Sequence, residues 1–249
     1  MPDQDGNFKQ PQFYRQPEPL DFNRHKTLGI KDATDFAFAQ NANVVMLTAM
    51  EIALASRSYP IVFTEGDAPM PVALLGLRNE ENLFVQNGAW TKHTYIPAYI
   101  RRYPFAFLES QDKASLILCV DVQADAVSES GTTAFFDSKG APSEFTRRAL
   151  DFCRAFQIQF NATRQLSDLL KKHDLLVSRR ADITTAAGDK IAVRDFLVVD
   201  EEKFNALPDE AYLDLRKAGM LPVLHFHMMS LANFRDLAER SLHRSQPAT

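Results

Sequence analysis

Glycine is scarce in this chain, with nine residues in 249. Loops that cradle phosphate are built on glycine-rich turns. Neither G-x-x-x-x-G-K-S/T nor G-x-G-x-x-G occurs, so the common nucleotide-binding classes are excluded and no cofactor is expected. Cysteine is scarcer still: Cys119 and Cys153 lie far apart, each inside an apolar stretch. Two such thiols make neither a disulfide framework nor a C-x-x-C metal or redox motif, and they fit a reducing, cytoplasmic compartment. There is no G-x-S-x-G nucleophile elbow and no H-E-x-x-H zinc motif. No run reaches the roughly 18 uninterrupted apolar residues of a spanning helix, and the opening MPDQDGNFKQPQFYRQPEPLDFN lacks the apolar centre of a secretion signal. Membrane insertion and export by that route are not expected. Positive charge is not in excess either, the formal net charge being -4, so nucleic acid is not expected as a partner.

What is present is an ordinary globular composition, 45% hydrophobic and 24% charged, in a chain long enough to bury a substantial core. Residues 1–18, rich in Pro, Gln and Asp, read as a flexible arm, residues 19–240 as a single α+β domain, and residues 241–249 as a tail. NANVVMLTAMEIALASRS, 41 to 58, reads as a central helix capped by Asn41 or Asn43, with Glu51 as its only acidic residue. The runs Ile61 to Thr64, Val72 to Leu77 and Leu83 to Gln86, separated by EGDAP and RNEEN and followed by Asn87-Gly88, predict an antiparallel meander. FAFLES and SLILCVD are expected to pair across QDKA. Apolar positions from Phe145 through Phe156 to Leu170 recur at intervals of three and four, which predicts a long amphipathic helix from Ser143 to His173. A β unit turning at Gly188-Asp189 follows, then a helix from Pro208 to a cap at Gly219, then a last helix from Pro222 to Arg240 with Leu224, Met228, Leu231, Phe234 and Ala238 on one stripe.

The stretch YIPAYIRRYPFAF, 95 to 107, is the best candidate site. Pro97 can open a short helix that Pro104 ends, placing Tyr95, Tyr99 and Tyr103 near one line beside Arg101 and Arg102. A guanidinium stacked on tyrosine can still offer its fork to a carboxylate or phosphate, the chemistry of an anion or peptide-terminus site. The competing structural reading pairs one arginine with Glu51, because a carboxylate in so apolar a segment needs compensation if buried. His225 and His227 would share a face only on a strand. On a helix they point about 200° apart, so the reading is one packed and one exposed histidine, with no metal site. Trp90 is read as cover for a core edge, and Asp200 as the N-cap of a short helix.

SYPIVF at 58 to 63, PVALLGLRNEENLFV at 71 to 85, YIPAYIRRYPF at 95 to 105, FLVVDEEKFNALPDE at 196 to 210 and HMMSLANF at 227 to 234 together resemble the SapC family of bacterial proteins. The resemblance spans about 19 to 240 and carries no catalytic signature and no established site residues. It implies an association with bacterial surface-layer proteins, and with gene neighbours encoding TonB-dependent outer-membrane receptors and halogenase-like or oxygenase-like proteins. Some relatives carry a peptide-transport permease label, which a chain without a spanning segment does not support. The resulting expectation is an accessory protein that binds a protein or peptide near Glu51, Tyr95, Tyr99, Arg101, Arg102 and Tyr103. The alternative is an enzyme that modifies a small-molecule ligand, with a buried Glu and Arg polarising it.

Overall fold

A computed structural model describes residues 11–31, 35–109, 116–184 and 190–245. The chain is α+β, with antiparallel sheets, a 29-residue helix in the middle and a helical C-terminus. It divides into two compact units, one built from residues up to 38 and from 102–157, the other from 39–101 and 158 onward.

In the first unit, Phe105–Glu109 pairs with Leu116–Asp121 as expected for the two apolar runs, and Pro17–Pro19 adds a third strand on Leu116–Asp121. The QDKA turn between the two strands lies outside the described residues. Of the arm expected over residues 1–18, residues 1–10 lie outside the described residues and residues 11–18 are folded. From residue 11 the chain is described, Tyr14 is buried with its hydroxyl donating to the Phe105 carbonyl at 2.5 Å, and Pro17 opens a strand. Proline is tolerated there because, among the described residues, this strand stands at the edge of its sheet. The core of this unit gathers Phe105, Val120, Val127, Phe135 and Cys153, with Phe145 and Ala149 of the long helix against it.

The second unit holds a five-stranded antiparallel sheet in the order Leu176–Thr184, Lys190–Val199, Ile61–Thr64, Pro71–Leu74, Val44–Met46. The central helix expected over 41–58 does not form. Val44, Val45 and Met46 are a strand on Pro71–Leu74, a 3-10 turn covers Ala49–Glu51, and Ile52–Ala55 is a single helical turn. Valines are at home on a pleated, buried surface, and an apolar stretch without periodicity fits a buried strand as well as a buried helix. The meander also stops short: Val85–Gln86 leaves the sheet and forms its own hairpin with Ala89–Trp90 across Asn87-Gly88, both in left-handed conformation. The long helix spans Glu144–Lys172, close to its predicted bounds, and Leu166 and Leu170 enter the second core with Phe63, Leu175, Val199 and Leu224. The Gly188-Asp189 turn lies outside the described residues. Asp200 caps Glu201–Asn205 by accepting from the Lys203 N–H, and Gly219 follows the helix Asp209–Lys217 with φ of 71°.

The last predicted helix is two, Leu221–Ser230 and Phe234–Ser245, joined by a 3-10 turn, and it extends into the expected tail with Ser241 buried. Its inward stripe differs from the apolar one expected. Leu224, His227 and Ser230 face inward, while Phe226 and Met229 are exposed. Polar residues win these places because strand amides need acceptors: His227 Nε2 accepts from Val199 N–H at 3.1 Å, and Ser230 Oγ accepts from Ile61 N–H at 3.0 Å. Asn233 likewise donates to the carbonyls of Ser56 and Tyr59. His225 is exposed, so the two histidines separate as helical spacing requires.

Burial, with the Phe63 ring edge-on at 5.0 Å, pushes the His227 pKa down to about 4. Between pH 6.5 and 4 the unfolded chain therefore binds the proton that the folded chain refuses. Stability falls as pH drops through that window and is intact above it. The expected loss attributable to this ring is about 3 kcal/mol at pH 4. Urea unfolding of His227→Gln, which keeps an acceptor for Val199, should show a correspondingly flatter stability profile between pH 7 and 4 than the parent. An unchanged profile would show that this ring does not govern it.

Candidate functional site

Glu51 is 4% exposed, and its carboxylate is the convergence point of the second unit's candidate residues. Oε2 accepts from the backbone N–H and the hydroxyl of Thr48, at 2.8 and 2.9 Å. Oε1 accepts from the Tyr95 hydroxyl at 3.0 Å and from the Ala98 N–H at 2.6 Å. Glu51 N–H in turn donates to the Thr48 carbonyl, which closes the 3-10 turn opened by the Thr48/Glu51 capping box, and Ala98 is the first residue of the short helix Ala98–Arg101. One carboxylate thus closes its own 3-10 turn and also supplies an acceptor to a helix start 47 residues away in sequence.

The pairing of Glu51 with an arginine, expected from its burial, is replaced by these four neutral donors. Amide and hydroxyl dipoles stabilise a carboxylate without taking a second charge out of water, which an internal guanidinium would require. Arg101 stands one step removed. Its Nη2 donates to the Tyr95 hydroxyl at 3.1 Å, its Nε donates to the Ile96 carbonyl at 3.0 Å, and its guanidinium lies 5.6 Å from the Tyr95 ring centre. Burial first, and then the Glu51 charge, push the Tyr95 hydroxyl up to about 12, so it remains a donor to Glu51 at neutral pH. Arg101 is exposed and Tyr99 is buried in the helix turn between them. The loop carrying Tyr95 is fixed from below: Ser58 Oγ accepts from its N–H at 3.3 Å, and the Tyr59 hydroxyl donates to its carbonyl. Trp90 is buried and donates to the Tyr59 hydroxyl at 3.2 Å, which makes it core cover as its sequence setting suggests.

The tyrosine ladder expected over 95, 99 and 103 does not form, because the helix ends at Arg101 and the chain passes into the first unit at Arg102. There, the Arg102 guanidinium lies 4.5 Å from the Phe156 ring centre and 5.8 Å from that of Tyr14. Tyr103 stacks on Phe38 at 4.1 Å and donates to Asp121 Oδ2 at 3.0 Å. Asp121 is fully buried and also accepts from the N–H groups of Arg15, Gln16 and Gln123. Burial and the Asp121 charge hold the Tyr103 hydroxyl well above its ordinary range. Two tyrosines of one segment therefore each donate to a buried carboxylate, one in each unit.

Sequence reading missed two parts of this arrangement. Thr48-Ala-Met-Glu51 carries the S/T-x-x-E capping signature and would have placed the turn start at Thr48 instead of Asn41 or Asn43. Asp121, the last residue of an apolar strand, gave no local sign that it would be buried.

Elsewhere, burial pushes the thiols of Cys119 and Cys153 up to about 11. A cavity of 390 Å³ is lined by Gln40, Asn41, Arg78, Glu81, Asn82 and Arg244 among others, and none of the candidate site residues lines it. Among the described residues no group of His, Cys, Asp and Glu is disposed to hold a metal ion, and no helix is long and apolar enough to cross a membrane.

The SapC family model matches residues 20–237, most of the chain, and the chain belongs to that family. No curated protein and no solved structure matches it.

The hydrogen-bond geometry ranks the variants. Glu51→Ala leaves the Thr48 and Ala98 amides without their acceptor and should cost about 3 kcal/mol or more. Tyr95→Phe removes one donor of four and should cost about 1 kcal/mol. Arg101→Ala, at the exposed end of the chain of bonds, should change stability by less than about 0.5 kcal/mol. Urea unfolding midpoints test this order. An Arg101 variant as damaging as the Glu51 variant would contradict the neutral-donor arrangement.

Proposed function

We propose that this member of the SapC family is a binding protein that captures a protein or peptide partner, as an accessory to a bacterial surface-layer or outer-membrane, TonB-dependent uptake system. The observation that carries this reading is the apolar surface beside Glu51. The single-turn helix Ile52–Ala55 packs against Leu221–Ser230. Ile52 and Ala55 point inward and are fully buried, while Met50 is 72% exposed, Leu54 is exposed, and on the partner helix Met229 is 70% exposed and Phe226 is exposed. Large apolar side chains that stand in water on this turn and on two packed helices fit a surface that another chain covers, and methionine adapts to varied partners. Tyr95 and Arg101, held by Glu51, supply an exposed guanidinium and a half-buried ring for a carboxylate or a peptide terminus. The tail end of the association, surface layer or uptake receptor, rests on the family resemblance alone.

The enzyme alternative draws less support. Its proposed acid, Glu51, has both oxygens occupied by structural donors, and the thiols are buried with raised pKa values. The 390 Å³ cavity is lined by other residues.

The test is affinity capture from the native cell under mild conditions, comparing the parent with a Leu54→Asp/Met229→Asp double variant and with Arg101→Ala. Both substitutions of the double variant are at exposed positions, so thermal melting should stay within a few degrees of the parent. The reading expects a protein retained by the parent and lost by the double variant, with capture weakened by Arg101→Ala. An identical set of retained proteins in parent and double variant, or a small molecule retained in place of any protein, would sink it.

A further inference from the structure

The two strands at one side of the five-stranded sheet, Leu176–Thr184 and Lys190–Val199, are its longest. Lys190–Val199 meets Ile61–Thr64 at Phe196↔Thr64 and Leu197↔Phe63. Among the described residues, 179–184 and 190–195 therefore form a two-stranded ribbon that runs past the rest of the sheet. A bulge marks its root, where Arg179↔Phe196 is followed by Ala181↔Val193, and Asp195 takes φ of 62°. The opposed pairs Ala181↔Val193 and Ile183↔Ile191 place four apolar side chains on one face, and all four are partly exposed. A two-stranded ribbon alone is marginal in water. Among the described residues Leu176–Thr184 is in addition the edge strand of the sheet, with no strand beside one row of its N–H and C=O groups.

Edge strands are commonly protected by charges of one sign, which repel a second copy. This edge carries both signs. Arg180 and Asp182 are exposed, two residues apart on the same face, and bridged to each other at 2.5 Å. If a second copy lies alongside in antiparallel orientation with Ala181 on the twofold axis, Arg180 of each copy stands opposite Asp182 of the other. The two neighbouring registers of the same hydrogen-bonding parity set Arg180 against Arg180, or Asp182 against Asp182. Like charges directly opposite destabilise a ladder and unlike charges support it, so the charge pattern selects one register. On the other face that register lays the Arg179 stem along Ile183 of the second copy, covering part of the exposed apolar face.

We propose that the chain self-associates through this edge, two copies of Leu176–Thr184 pairing antiparallel about a twofold axis at Ala181 and joining two five-stranded sheets into one. The contact is isologous and closed, and it uses none of the residues assigned to partner capture.

Sedimentation velocity and charge reversal test the proposal. The parent should sediment with twice the 28.1 kDa chain mass as its concentration rises. Arg180→Asp or Asp182→Arg alone should raise the dimer Kd by more than about tenfold, because each creates like-charge pairs on both sides of the axis. The combined Arg180→Asp/Asp182→Arg variant should restore the parent Kd. Register is read independently by Ala181→Cys. A residue on the axis of an antiparallel pair faces its own copy within disulfide reach, so mild oxidation should give a covalent dimer, while Ser178→Cys should not. The two native cysteines are buried and do not compete. A chain that stays monomeric at every concentration overturns the proposal, and so does a dimer indifferent to both single charge reversals.

Discussion

A buried carboxylate that takes all of its hydrogen bonds from neutral groups is the constraint on which the candidate site depends. Glu51 must remain an acceptor at once for Thr48 of its own turn and for Tyr95 and Ala98 of one segment, 44 and 47 residues further along the chain. Removing the carboxylate would strand amides in the interior, where an unmet donor costs more than a made bond gains. The same demand explains why Tyr95 is a tyrosine: its hydroxyl donates inward to Glu51 and accepts from Arg101 on the outer side. Asp121 solves the equivalent problem in the first unit with three backbone amides and the Tyr103 hydroxyl.

Both carboxylates are committed to structure, and the partner capture proposed for this chain is accordingly assigned to its surface. The helix Leu221–Ser230 shows the division of labour. Its inward positions include His227 and Ser230, which serve strand amides, while Phe226 and Met229 are left facing water. The outward apolar side of this helix is the proposed binding face; on the inner side the Val199 and Ile61 amides find their acceptors in His227 Nε2 and Ser230 Oγ, while His227 Nδ1 is buried with no hydrogen-bond partner among the described residues. The ribbon at the sheet edge is the second surface proposed for association, of a different chemistry, in which backbone groups and alternating charge take the place of apolar area.

Elements with strong periodicity or strong punctuation were legible from the residues. The helix Glu144–Lys172, the cap at Asp200, the turn at Gly219 and the pairing of Phe105–Glu109 with Leu116–Asp121 all follow from local pattern. The segment from 41 to 58 was not, because apolar residues on every side give no period to distinguish strand from helix. Its strand was decided by pairing with Pro71–Leu74, some 27 residues away. The candidate site was half legible: residue types and neighbourhood pointed to Glu51, Tyr95 and Arg101 together, but not to the order of their bonds. Arg102 and Tyr103 belong to the other unit, which no feature of the RRY sequence announces.

From the order of residues alone came the α+β character, the long helix, the absence of a spanning helix and the family membership, because these depend on composition and on contacts a few residues apart. Only the three-dimensional arrangement decided that Glu51 is met by amides and a phenol instead of a guanidinium, and that polar side chains line the inner face of Leu221–Ser230. It also decided which strand stands at the edge of the sheet. Those outcomes turn on which unsatisfied backbone groups lie within about 3 Å of a side chain after folding, a matter of long-range geometry that a linear pattern does not encode.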